Sequence, residues 1–189
     1  MSVVIDQVQT EGYVAYNGDS CEVIKGIPSD SIGFMIYSPP FASLFSYSDN
    51  LACMSNCKSD TEFFEHYKYL IGELYRVLKP GRIAAVHVMQ LTKSMQKDGV
   101  IGLRDFRGDV IRAHESSGFV YHSEVCIWKC PVVSVTRTKA LGLLHKQLTK
   151  DSSRSRQGLA DYVVVFRKPG ENDTPIAGEL NHYAGDDFT

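Results

Sequence analysis

The run Ile32-Gly33-Phe34-Met35-Ile36-Tyr37, followed at once by Ser38-Pro39-Pro40-Phe41, limits the fold more than any other stretch. The six-residue run is apolar enough to read as a buried parallel strand. Two consecutive prolines then stop it, because neither can donate to a sheet ladder and each fixes its own φ. The result is a stiff turn at the carboxyl end of a strand, where open α/β sheets build their sites. Downstream, Ser59-Asp60-Thr61-Glu62 is a capping box. Phe63, Phe64, Tyr67, Leu70, Ile71, Leu74, Val77 and Leu78 follow at helical spacing, and Lys79-Pro80-Gly81 ends the helix. Ile83 to Val88 is the next buried strand. A strand, a helix and a strand in that order predict an α/β fold containing a parallel pair with a right-handed crossover.

The flanking chain follows the same logic. Tyr13 to Tyr16 reads as a short strand, Asn17-Gly18-Asp19 as a turn, and Ser20 to Lys25 as a short helix that Asp19 could cap. Ala42 to Lys58 and Leu91 to Leu103 read as loops; in the first, Phe45 and Tyr47 either reach over a ligand or pin the loop to the body. Asp105 caps a helix running to Ser117, with Val110, Ile111 and His114 inward and Gly118 as the stop. Phe119 to Trp128 and Tyr162 to Arg167 are strands. His87 and Trp128 read as core residues. The expected division is a folded portion over 1–169, with a basic insertion at 132–158, and a linker or mobile tail over 170–189.

A chain of 189 residues with 43% hydrophobic and 22% charged residues is one ordinary globular domain. Its net charge of −2 means that nucleic-acid contact would need a local patch rather than the whole surface. No apolar run approaches the ~20 residues of a membrane span. Five cysteines, an odd number, fit a reducing cytoplasm better than a disulfide framework. Cys53/Cys57 and Cys126/Cys130 are spaced more widely than the tight knuckles of structural zinc, so no metal site is read.

Ser38 offers a hydroxyl, the Pro39 carbonyl cannot be taken up by a following helix, and Phe41 offers a flat apolar face. Together they could hold a planar heterocycle that carries an amino group. Ser-Pro-Pro-Phe resembles the (Asp/Asn/Ser)-Pro-Pro-(Tyr/Phe) motif of DNA amino-methyltransferases, which methylate adenine N6 or cytosine N4. The lead-in Asn17 to Ile24 and Ile27 to Ile32, and Glu73 to Gly81 downstream, are similar to that family's in the same order. The resemblance covers roughly residues 13 to 168.

It implies part of a Rossmann-like S-adenosylmethionine-dependent methyltransferase sheet with flanking helices. Ser38, Pro39, Pro40 and Phe41 would be the catalytic motif, and Asp19 would lie near the adenine end of S-adenosylmethionine. It also implies double-stranded DNA as substrate. Arg137, Lys139, Lys146, Lys150, Arg154 and Arg156, against the single acid Asp151, would follow its phosphates. Adenine and cytosine both stay open as targets.

The family's donor-binding motif, similar to Phe-x-Gly-x-Gly, is not found in the 189 residues; in one branch it follows the catalytic motif. The family's sheet order, 3-2-1-4-5-7-6, would make Ile32–Tyr37 strand 4, Ile83–Val88 strand 5, the later two strands 6 and 7, and Tyr13–Tyr16 an unpaired strand 3. Strand 4 would then expose an apolar edge. The expectation is a longer polypeptide, a second chain or a second copy along that edge, with donor binding incomplete in this chain. A non-catalytic DNA-binding or partner subunit, or an inert half of a split enzyme, is the alternative.

Overall fold

A computed structural model describes residues 4–41, 53–93, 95–100, 102–130, 133, 149–151 and 159–175. The chain opens with an antiparallel hairpin of β1 (Val4–Gln9) and β2 (Val14–Gly18). Helix α1 (Ser20–Val23) and a 3-10 turn (Ile24–Gly26) lead to β3 (Ile32–Tyr37). After the Pro-Pro turn come a 3-10 turn (Met54–Asn56), helix α2 (Asp60–Val77) and β4 (Leu78–Met89). A small excursion of β5 (Leu91–Lys93), α3 (Met95–Asp98) and β6 (Gly102–Arg104) precedes α4 (Phe106–Ser116). Strands β7 (Val120–Ile127) and β8 (Asp161–Arg167) complete the sheet.

The central sheet has four strands in the order β3-β4-β8-β7. β3 and β4 are parallel, while β8 runs antiparallel to both β4 and β7. This is the 4-5-7-6 side of the order that the motif resemblance implies. Two expectations need correction. Tyr13–Tyr16 is not an unpaired strand: Val14–Gly18 pairs with Val4–Gln9, because the intervening Thr10-Glu11-Gly12-Tyr13 closes a turn through a Thr10 N to Tyr13 O bond of 2.9 Å. Nor is 91–103 a plain loop, since β5 and β6 pair across it.

Helix α2 forms as its capping box and stripe dictate. Ser59 Oγ accepts from Glu62 N at 3.1 Å, and Glu62 Oε2 accepts from Lys58 N at 2.7 Å. Phe63, Tyr67, Leu70, Ile71 and Val77 are buried against Ala84, Val86 and Val88 of β4 and Val164 and Phe166 of β8. Each large apolar side chain so buried stabilises the fold by roughly 1.5–3 kcal/mol. Asp105 caps α4 by accepting from Gly108 N at 3.1 Å. Phe106, Val110 and His114 of α4 join the same core. The helices therefore cover the face formed by the even-numbered residues of β4 and β8.

The other face is different. Phe34 and Ile36 pair in register with Ile83 and Ala85, and they are 53% and 68% exposed. Val120, Val125 and Ile127 of β7 are exposed as well. Among the described residues no strand pairs with the free edge of β3. The strand read as buried is thus a parallel edge strand, covered on one face.

Two cations tie the layers together. Arg76 of α2 donates to Ile27 O at 2.9 Å and Ile24 O at 3.0 Å, while Glu73 pairs with it at 2.7 Å. Lys168, just past β8, is buried; its Nζ reaches Asp30 Oδ1 at 2.7 Å, Tyr75 O at 2.7 Å and Leu78 O at 2.8 Å. It neutralises the carbonyl-rich end of α2 and fixes the loop that feeds β3. Gly81 has φ 73°, and a Cβ there would lie 2.8 Å from Asn172 N, so only glycine lets residues 171–172 pass this close. Residues 176–189 of the expected tail lie outside the described residues. No helix among the described residues is long and apolar enough to cross a membrane.

Lys168→Met should cost roughly 2–4 kcal/mol, because it strands two carbonyls and an acid at a helix end. Urea unfolding followed by circular dichroism measures this; an unchanged midpoint would show that the lysine is dispensable.

Candidate active site

Strand alternation places the Ser-Pro-Pro-Phe residues. Met35 and Tyr37 pack toward the helices, so Ile36 and Ser38 face the opposite side. Tyr37 pairs with Val86, which sets Ser38 beside His87, the next residue of β4. Ser38 Oγ lies 3.1 Å from His87 O and 3.3 Å from His87 Nδ1. His87 Nε2 lies 3.0 Å from Asp161 Oδ2, at the start of β8. The same Oδ2 is 2.5 Å from Lys129 Nζ. Asp161 is 9% exposed and His87 is 35% exposed at their side chains.

Phe41 meets the His87 ring edge-on at 6.0 Å and the Phe106 ring at 6.2 Å. Its ring is therefore anchored on the core and only partly buried. Pro39 is buried, and its carbonyl takes no backbone hydrogen bond from the described residues. A hydroxyl, a carbonyl that takes no backbone hydrogen bond from the described residues and an anchored ring thus follow one another at the carboxyl end of β3.

Beneath them, the helix-facing residue of the same strand end is tied into a buried polar chain. His114 Nδ1 lies 2.8 Å from Val110 O, and a carbonyl can only accept, so this nitrogen carries the hydrogen. His114 Nε2 then accepts from Tyr37 Oη at 2.8 Å, and Tyr67 Oη donates to Tyr37 Oη at 2.9 Å. The His114 ring stacks on Phe166 at 4.0 Å. Burial raises the Tyr37 and Tyr67 hydroxyls above the usual tyrosine range and pushes His114 down to about 4. All three are neutral, rigid supports for the residue that precedes Ser38.

A cleft of about 770 Å³ runs from the β2–α1 turn to the Pro-Pro turn. Asp19, Cys21, Tyr16, Ser38 and Pro39 lie along it. Asp19 also caps α1, accepting from Cys21 N at 2.9 Å. The structure therefore brings Asp19 and Ser38–Pro40 to one concavity, as their separate motifs require. Of the six expected phosphate contacts, Lys150 is exposed on the helical residues 149–151. Arg137, Lys139, Lys146, Arg154 and Arg156 lie outside the described residues, as do Phe45 and Tyr47.

Two expected core residues are not core. His87 faces away from the helices, because it alternates with the buried Val86 and Val88. Trp128 is 76% exposed, just beyond the end of the exposed edge strand β7. Asp161 carried no motif, yet it completes the Ser38–His87 contact. The signal that locates it is topological: an antiparallel β8 brings its first residue to the carboxyl end of β4.

No family model and no curated protein matches the chain. Solved structures do match. A protein of Thermus thermophilus assigned as a DNA modification methylase, complexed with S-adenosyl-L-methionine, superposes with a TM-score of 0.58 at 18% identity. The match covers 84% of this chain and 54% of that one. The PvuII DNA methyltransferase, cytosine-N4-specific, superposes with a TM-score of 0.55 at 20% identity over 83% of this chain and 50% of the other. The chain spans about half the length of these structures. The likeness bears out the fold that the motifs imply, one side of a methyltransferase sheet with its flanking helices.

Burial of His114 predicts a pH dependence. The unfolded chain protonates this histidine near its ordinary 6.5, and the folded chain only near 4. Between those values the unfolded state binds more protons, so stability falls as pH falls, by roughly 3 kcal/mol on reaching pH 4. His114→Gln should remove that increment: the stability gap between parent and variant should narrow by this amount between pH 7.5 and 4. A gap that stays constant in urea titrations would contradict the assignment.

Proposed function

We propose that the chain is the catalytic portion of a DNA amino-methyltransferase, acting on adenine N6 or cytosine N4 of double-stranded DNA. The observation that carries this reading is Ser38-Pro39-Pro40-Phe41 at the carboxyl end of β3, where Ser38, Pro39 and Pro40 line the cleft that Asp19 also lines. An exocyclic amino group is a poor nucleophile because its lone pair is delocalised into the ring. Two acceptors, one per N–H, draw the nitrogen toward tetrahedral geometry and free that pair. Positive charge grows there in the transition state, so pre-placed oxygens act most strongly at that point. Ser38 Oγ and the Pro39 carbonyl supply them, and Phe41 supplies a stacking face for a base taken out of the duplex. Ser38 is not a general base; the proton leaves after transfer.

S-adenosylmethionine would supply an electrophilic methyl group on sulfur. The cleft has a volume within the ~300–1,000 Å³ of small-molecule sites, and Asp19 would approach the adenosine. The residues present fit one wall of such a site. The glycine turn that would form the other is not in the sequence, and the free apolar edge of β3 is where its strand would pair. We therefore assign that edge to a donor-binding portion, further along a longer polypeptide or on a second chain. Arg137, Lys139, Lys146, Lys150, Arg154 and Arg156 are assigned to the phosphate backbone, which gives affinity without sequence information. The absence of the glycine motif also supports a second reading, a partner subunit or inert half that binds DNA without transferring methyl groups.

Methyl incorporation from labelled donor into DNA separates the two readings. In a preparation that binds donor, Ser38→Ala should lower single-turnover transfer by ~10–100-fold with DNA affinity little changed. Unchanged rates would remove Ser38 from the mechanism. The isolated, monodisperse chain should bind S-adenosylmethionine weakly or not at all. Stoichiometric micromolar binding by a monomer in titration calorimetry would overturn the assignment of the β3 edge.

A further inference from the structure

The contact between Ser38 and His87 is more specific than a motif serine requires. Asp161 Oδ2 accepts from the Lys129 ammonium at 2.5 Å, so it meets His87 Nε2 as a lone-pair atom. That contact calls for the hydrogen on Nε2. Asp161 Oδ1 is buried without a partner among the described residues, so the carboxylate's hydrogen bonding there is concentrated on Oδ2. A neutral imidazole carries one ring hydrogen, which leaves Nδ1 bare. Ser38 Oγ then faces two acceptors of one residue, Nδ1 at 3.3 Å and the carbonyl at 3.1 Å. Whichever it uses, its single hydrogen is spent on the protein side. Only lone pairs remain toward the cleft.

We propose that His87, its ring held by Asp161, is a positioning residue that makes Ser38 a fixed acceptor, so that the pocket takes an N–H donor and refuses a carbonyl. This deepens the methyltransferase reading and rests on it. A free serine hydroxyl would rotate to suit either partner, accepting from an amino group or donating to a keto oxygen. Held by His87, it cannot donate outward. A keto base would set its oxygen against the Ser38 and Pro39 oxygens together. Sites built on polar pairing reject such a mismatch far more strongly than apolar pockets reject a change of size. The device thus discriminates adenine and cytosine from their deaminated or keto counterparts before any chemistry begins.

Long-range proton–nitrogen NMR on the labelled 189-residue chain tests it. At neutral pH, His87 should show a protonated Nε2 and a bare Nδ1. Ser38→Ala should move the Nδ1 resonance and leave Nε2 in place, and Asp161→Asn should give a mixture of tautomers. Titration with 9-methyladenine and 1-methylcytosine should perturb the His87 signals at concentrations at least about tenfold lower than 9-methylhypoxanthine and 1-methyluracil require. A protonated Nδ1, a Nδ1 signal indifferent to Ser38→Ala, an equal response to the keto compounds, or no response to any of them overturns the proposal. If Asp161→Asn does not fold, the parent's tautomer and the four titrations still decide. None of these readings uses donor or DNA, so a failure of DNA methylation, which sinks the function proposed above, is distinct from a failure here.

Discussion

The register of β3 on β4 governs everything placed at the site. Tyr37 pairs with Val86, so Tyr37 points into the core and Ser38 emerges beside His87. A slip of one residue would reverse both, because side chains alternate with a period of two. It would turn the serine toward Tyr67 and His114 and expose a tyrosine in its place. The register is held from both ends. Lys168 and Arg76 fix the loop entering β3, and the Tyr37–His114 bond fixes its exit.

Two histidines on opposite faces of the sheet show how one residue type serves two purposes. His114 is fully buried, donates to its own helix and accepts from Tyr37, so burial holds it neutral. Its contribution is rigidity under the strand end. His87 lies on the open face, half-exposed, with a carboxylate on one nitrogen and a serine on the other. The difference follows from alternation along β4 and from the helices covering only one face, not from the local sequence around either residue.

That distinction marks what a single sequence could disclose. The capping box at Ser59, the apolar stripe to Val77, the cap at Asp105 and the Pro-Pro stop are local signals, and local hydrogen bonding or periodicity fixes each outcome. The place of Ser-Pro-Pro-Phe at the carboxyl end of a strand was legible because all four residues are contiguous. His87 and Trp128 were misread because apolar surroundings in sequence suggest a core, whereas burial depends on which sheet face is covered. Asp161 was invisible, since its role needs the antiparallel return of β8, a long-range pairing. The β1–β2 hairpin was half-read: its second strand carries a strand signal, but the first, Val4–Gln9, is exposed along nearly its whole length and shows no core pattern.

The open face and the free edge of β3 bear on the site through the same strand. Phe34, Ile36 and Ser38 share one side, so whatever covers Phe34 and Ile36 also borders Ser38. An apolar cover there would dry the pocket wall and strengthen the hydrogen bonds that Ser38 and the Pro39 carbonyl can offer, because electrostatic interactions grow as the local dielectric falls. Register already places Ser38 beside His87; the strength of its hydrogen bonds depends on exclusion of water. Geometry and dielectric thus have different origins. The first belongs to the pairing of β3 with β4, and the second to whatever packs on the face that these strands leave exposed.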